Sequence, residues 1–124
     1  QKNKIIIVED EPIIGMELQD TLEMAGYEIA ALTDSADTLL QLVQDEKPDL
    51  LLMDIRLRSY LDGIDAVQRL RLFSDIPVIY ITAWTTQDVR LRADTTKPEA
   101  FLTKPIDSDE LLAEISRILD KSKP

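Results

Sequence analysis

The chain has 124 residues, a net charge of −10 and a sequence pI of about 4.4, which suits one domain with one core. So acidic a surface repels phosphate backbones, which argues against nucleic-acid binding and favours a cation or a basic partner. Cysteine and histidine are both absent; this excludes disulfides, thiolate and histidine metal sites, Ser-His catalysis and a phosphohistidine carrier.

In chain order, Ile5 to Val8 is an apolar run that reads as a strand buried on both faces, and it runs straight into Glu9, Asp10, Glu11 and Pro12. Ile14, Leu18, Leu22 and Ala25 then share one helical face, weakened by Gly15 and ended by Gly26. Tyr27 to Leu32 is less uniformly apolar and suits an edge strand. Ser35 is placed to cap a second helix carrying Leu39, Leu40, Leu42 and Val43, which stops before Pro48. Leu50 to Met53 is another strand buried on both faces; the Asp62-Gly63 turn after it opens a helix marked by Ile64, Val67 and Leu70.

Val78 to Ile81 repeats the fully apolar strand pattern. Thr85 to Thr95 reads as a helix, with Thr85 and Asp88 as caps and only Val89, Leu91 and Ala93 as apolar positions. Ala100 to Leu102 is the last strand, also expected to be covered on both faces. Asp107 with Glu110 resembles a capping box, followed by Leu111, Leu112, Ile115, Ile118 and Leu119. Residues 121–124 read as the start of a linker, leaving 1–120 as the domain. Since the sequence opens on Gln1 rather than methionine, it is expected to be a piece of something longer. With no apolar run of membrane-spanning length and no basic-then-apolar leader, the expectation is a cytoplasmic protein.

Strand and helix thus alternate five times, which predicts right-handed crossovers and a doubly wound, five-stranded parallel sheet with helices on both faces. Ligands bind outside the carboxyl ends of such strands. There the sequence places Glu9 and Asp10, then Asp54, then Thr82 and Ala83, then Lys104 before Pro105. Two unit charges about 4 Å apart at an effective dielectric of about 20 repel by roughly 4 kcal/mol. A dication turns that repulsion into attraction, and a few carboxylates with open positions left over suit Mg²⁺, which binds phosphate oxygens as well. The three negative charges of Glu9, Asp10 and Asp54 are balanced by a dication plus the Lys104 ammonium. A phosphoryl group on Asp54 would sit between them, and carboxylates are known nucleophiles for phosphorus.

These motifs (IIIVEDE at the start, LLMDIRL in the middle, Asp62-Gly63, YITA at 80–83 and FLTKP at 101–105), in this order and spacing, resemble the receiver domain of the two-component response-regulator family over nearly the whole chain. The resemblance implies a flavodoxin-like strand order of 2-1-3-4-5. It implies Asp54 as phosphoacceptor, Asp10 as a direct Mg²⁺ ligand, Glu9 as a ligand through water and the Arg56 backbone carbonyl as another. Lys104 would pair with phosphoryl oxygens, Thr82 would reach toward the phosphoryl group with help from the Ala83 amide, and Phe101 would be an aromatic switch. Arg56 and Trp84 would tune phosphoryl lifetime, and the Lys104-Pro105 bond would be cis. The phosphodonor would be a sensor histidine kinase or a histidine phosphotransfer protein, with an effector domain elsewhere in the full chain. The domain would not be an enzyme in the conventional sense, although it would catalyse its own phosphorylation and dephosphorylation.

Several positions depart from the family pattern. Glu9 replaces the commoner aspartate, and the stretch from Ile55 to Leu61 lacks proline and is one residue longer than usual. It resembles a subgroup with DIxLxGxxDG, although Ser59 stands in the glycine's place. The usual Gly-Ala before the last strand reads Glu99-Ala100, and Phe101 lacks a tyrosine's hydroxyl.

Each residue also has a plainer role: Asp10, Glu11 and Pro12 as helix-start residues, Thr82 as a strand former, and Phe101 as core. Lys104 and the arginines at 56, 58, 69, 71, 90 and 92 would be solvated charges, Arg90 and Arg92 with a possible role at a partner surface. A phosphorylation-independent, receiver-like interaction module is the alternative function. A phosphohydrolase with an aspartate nucleophile is disfavoured, because such enzymes carry DxD after the first strand. Gly15, Gly26 and Gly63 are the only glycines, so there is no phosphate-cradling glycine loop.

Overall fold

The computed structural model of the chain describes residues 2–57 and 61–121. The readings at Arg58 and Ser59, and the linker beyond residue 121, lie outside them. Five strands, β1 (Lys4–Val8), β2 (Glu28–Thr33), β3 (Leu50–Asp54), β4 (Val78–Thr82) and β5 (Ala100–Thr103), alternate with five helices. These are α1 (Pro12–Met24), α2 (Leu39–Glu46), α3 (Gly63–Leu70), α4 (Gln87–Asp94) and α5 (Ser108–Lys121). The strands form one parallel sheet in the order β2-β1-β3-β4-β5, the order the resemblance implied.

Successive side chains of a strand point to opposite faces, and the apolar runs feed two cores. Ile5 and Ile7 of β1, Leu50 and Leu52 of β3, and Ile79 and Ile81 of β4 pack with Leu18 and Leu22 of α1 and Leu111, Ile115, Ile118 and Leu119 of α5. The intervening Ile6, Val8, Leu51, Met53, Val78 and Tyr80 pack with α2, α3 and α4 through Leu39, Ile64, Val67, Leu70, Val89 and Ala93. Burial on both faces is why these strands show no alternation in sequence.

Pairing lengthens the strands beyond their apolar runs. Asp54 pairs with Ile81, and Thr82 with Thr103, so the acid and the hydroxyl are the last rungs of the sheet rather than the first residues of loops. β2 is the edge strand expected. β5 is an edge as well, as that order requires; its residues reach both cores, but only Leu102 is fully buried, with Ala100 and Phe101 half-buried against opposite cores.

The helix starts also shift. Ser35 does not cap α2: its hydroxyl accepts from the Asp37 amide at 3.1 Å and shapes a turn, and α2 begins only at Leu39. Thr85 does not cap α4, whose N-cap is Thr86; Asp88 lies in its first turn, its carboxyl held low mainly by the Thr86 hydroxyl. Asp107 does cap α5, accepting from the Asp109 and Glu110 amides at 2.9 and 3.1 Å. Ala25 is the exposed C-cap of α1 rather than part of its buried face.

Candidate functional site

Order β2-β1-β3-β4-β5 brings the ends of β1, β3, β4 and β5 to one edge of the sheet. A cleft of about 380 Å³ opens there, lined by Asp10, Glu11, Asp54, Arg56, Thr82, Ala83, Trp84 and Lys104. Asp54 lies at its floor with its side chain 3% exposed. Its two oxygens are held apart: Oδ1 accepts from the Arg56 amide at 3.2 Å, and Oδ2 from the Lys104 ammonium at 3.0 Å. The Asp54 backbone is fixed from below by Gly63. The Gly63 amide donates to the Ile55 carbonyl at 2.7 Å, and a Cβ on Gly63 would collide with the Asp54 carbonyl oxygen. Only glycine fits that approach.

Lys104 gathers three acids, lying 2.8 Å from Glu9, 3.0 Å from Asp54 and 3.1 Å from Glu11. Burial works to lower its pKa, but the hydrogen bonds and charges of Glu9 and Asp54 outweigh that and hold the ammonium above the ordinary lysine value. Burial pushes the Glu9 carboxyl up, and Asp54 beside it adds to the rise, with Lys104 only partly offsetting them. Glu9 Oε2 accepts from the Glu11 amide at 3.1 Å. Glu9 Oε1 is buried against the Lys104 ammonium at 2.8 Å.

Glu9, Asp10 and Asp54 each offer a carboxylate oxygen within 4.8 Å of the others. That donor set suits a hard dication that takes oxygen ligands. Around the rim, the Thr82 hydroxyl accepts from the Trp84 amide at 3.1 Å, and the Arg56 guanidinium lies 5.5 Å from the Trp84 ring centre. Ala83 lies exposed on the cleft wall. Phe101 sits apart from the acids, half-buried, 6.2 Å from the Tyr80 ring and beneath the Arg90 guanidinium at 4.3 Å. The Lys104-Pro105 bond is cis.

The family model described as the response regulator receiver domain matches residues 5–116. The chain belongs to that family. It is 36% identical over 121 residues to the transcriptional regulatory protein BaeR of Escherichia coli, covering 98% of this chain and 50% of that protein. It is 32% identical over 112 residues to the transcriptional regulatory protein PdtaR of Mycobacterium tuberculosis, covering 90% and 54% respectively. The receiver domain thus spans about half the length of the curated relatives it matches. Among solved structures, it superposes on the signal receiver domain of a modulated diguanylate cyclase from Desulfovibrio desulfuricans with a TM-score of 0.90. Identity there is 30%, with 98% of this chain and 96% of that one covered. No helix among the described residues of the receiver domain is long and apolar enough to cross a membrane.

Some site neighbours of the receiver domain were not legible. Glu11, read as a helix-start acid, reaches Lys104; only a contact across 93 positions reveals it. Arg71, read as a solvated charge, is a structural residue whose guanidinium donates to the Thr96, Ile76 and Ser74 carbonyls at 2.9, 2.7 and 3.3 Å. Arg92, read in the same way, pairs with Asp62 and Asp65.

Proposed function

We propose that Asp54 accepts a phosphoryl group from a phosphohistidine on a sensor kinase or phosphotransfer protein, and that the added charge switches the domain's output surface. The observation that carries this reading is the Asp54 carboxylate at the cleft floor, oriented by Lys104 and the Arg56 amide with Glu9 and Asp10 alongside. An Asp54 oxygen attacks phosphorus while the bond from phosphorus to the imidazole nitrogen breaks, its electron pair returning to the ring. The product is an aspartyl phosphate. Water attacking the same phosphorus breaks the phosphorus–oxygen bond, releases inorganic phosphate and restores the carboxylate.

Asp10, Asp54 and the Arg56 carbonyl would hold Mg²⁺ directly, and Glu9 through water. When bound, the ion supplies positive charge against the acids and the incoming phosphoryl oxygens. Lys104 transfers its hydrogen bonds from the carboxylates to a phosphoryl oxygen. The Thr82 hydroxyl leaves the Trp84 amide for the phosphoryl group, next to the Ala83 amide, and Phe101 turns inward. Arg56 and Trp84, facing each other on the rim, limit access of water to the aspartyl phosphate. The changed surface comprises α4, β5 and α5. Relatives of about twice the length are named as transcriptional regulators, which supports a receiver of about 1–120 working in the cytoplasm beside an effector domain.

The test is incubation with Mg²⁺ and a small acyl phosphate, followed by intact-protein mass measurement. A phosphoryl mass is expected on the wild type and on neither Asp54→Asn nor chelated protein. No mass on the wild type, or the same mass on Asp54→Asn, refutes the assignment.

A further inference from the structure

α4 is weakly seated. Its only buried residues among those described are Val89 and Ala93, yet it follows Thr82 and precedes Phe101, the two residues proposed to switch. Arg90 tethers it to β5 by stacking on Phe101 at 4.3 Å, and Arg92 tethers it to α3. Arg92 Nη1 lies 3.2 Å from Asp62 Oδ2 and its Nη2 lies 3.1 Å from Asp65 Oδ1, across 30 and 27 positions of sequence. Asp62 is the N-cap of α3: its other oxygen accepts from the Asp65 amide at 2.8 Å. The next residue, Gly63, has its backbone pressed against the Asp54 carbonyl and its amide on Ile55.

We infer that Arg92 is a positioning residue that ties α4 to the backbone of Asp54 through Asp62, Asp65 and Gly63. A guanidinium spans two carboxylates in a fixed fork, which a lysine ammonium does not reproduce. The start of α3 cannot move toward the sheet without displacing the Asp54 carbonyl, and moving away stretches the Gly63 amide's bond to the Ile55 carbonyl. Displacement of α4 therefore registers at the acceptor, and changes at the acceptor register at α4. The inference rests on the proposed function only for the use made of this linkage.

Amide hydrogen exchange in metal-free protein tests it, through three groups: the Gly63 amide on Ile55, the Arg56 amide on Asp54, and the Arg90 amide on the Thr86 carbonyl. The proteins compared are wild type, Arg92→Ala, Asp62→Asn and the double variant; asparagine caps a helix as well as aspartate does. Either single change is expected to speed exchange at all three amides by about threefold to fivefold, the scale of one or two exposed ion pairs. The double variant should be no faster than the singles, and amides of β1 should keep their wild-type rates. Acceleration confined to α4, acceleration spread evenly through β1, additive singles or unchanged rates would each overturn the inference. Failure of the wild type to accept phosphoryl would remove the proposed function and leave these rates as they are.

Discussion

Two polar clusters, one around Tyr80 of β4 and one at the ends of β1, β3 and β5, are built on opposite rules. At Tyr80 every group has a partner: the Thr96 hydroxyl donates to the Ala93 carbonyl at 2.7 Å, so the Tyr80 hydroxyl donates to Thr96, also at 2.7 Å, while Arg71 covers the Thr96 carbonyl. At the carboxyl edge of the sheet, Glu9, Glu11 and Asp54 share one ammonium, that of Lys104. A satisfied cluster holds a fold together. An unbalanced one is a site waiting for charge, and stability given up there is what lets a ligand act.

The contrast can be broken at either cluster. The largest effect expected is from Asp54→Asn, which should abolish phosphoryl acceptance by mass measurement. The same change should leave metal-free stability within about 1 kcal/mol of the wild type, since it removes both a repulsion from Glu9 and an ion pair with Lys104. Gly63→Ala joins the clusters' support to the acceptor: its Cβ meets backbone, so urea denaturation should show a loss of about 3 kcal/mol or more. Arg71→Ala strands three carbonyls of the satisfied cluster and should lower unfolding free energy by about 2 kcal/mol; phosphoryl acceptance at equal folded protein should be retained.

Tyr80→Phe is the smallest, about 1 kcal/mol at neutral pH for one buried hydrogen bond. It also removes a pH dependence. Burial pushes the Tyr80 hydroxyl from 10.0 up to about 12, so the unfolded chain ionises first as pH rises. The stability from the neutral phenol is intact below pH 10 and is lost as pH climbs toward about 12. Denaturation midpoints across that window should fall more steeply for wild type than for Tyr80→Phe.

What the sequence disclosed follows the same division. Ile5–Val8, Leu50–Met53 and Val78–Ile81 are apolar throughout because helices cover both faces, and Glu9, Asp10, Asp54, Thr82 and Lys104 fall at matching strand ends. Strand order then brings them together. Ala100–Leu102 carries the same apolar signal yet is less deeply buried, since local composition does not record how far the helices cover an edge strand. Ser35 and Thr85 have cap chemistry, but Ser35 spends its hydroxyl on a turn and α4 starts one residue past Thr86. Arg71 and Arg92 look like any exposed arginine, because Thr96, 25 positions from Arg71, and Asp62 and Asp65, 30 and 27 positions from Arg92, become their neighbours only in the folded chain.

The central claim is that the acids at the end of β1 and β3 form a cation site beside Asp54. Thermal denaturation with and without Mg²⁺ tests it most directly. At a hundredfold excess over the dissociation constant the ion should stabilise the wild type by about 2.7 kcal/mol, seen as a rise in Tm, and Asp10→Asn should lose most of that rise. A wild-type Tm indifferent to Mg²⁺, or an equal rise in Asp10→Asn, would contradict the account.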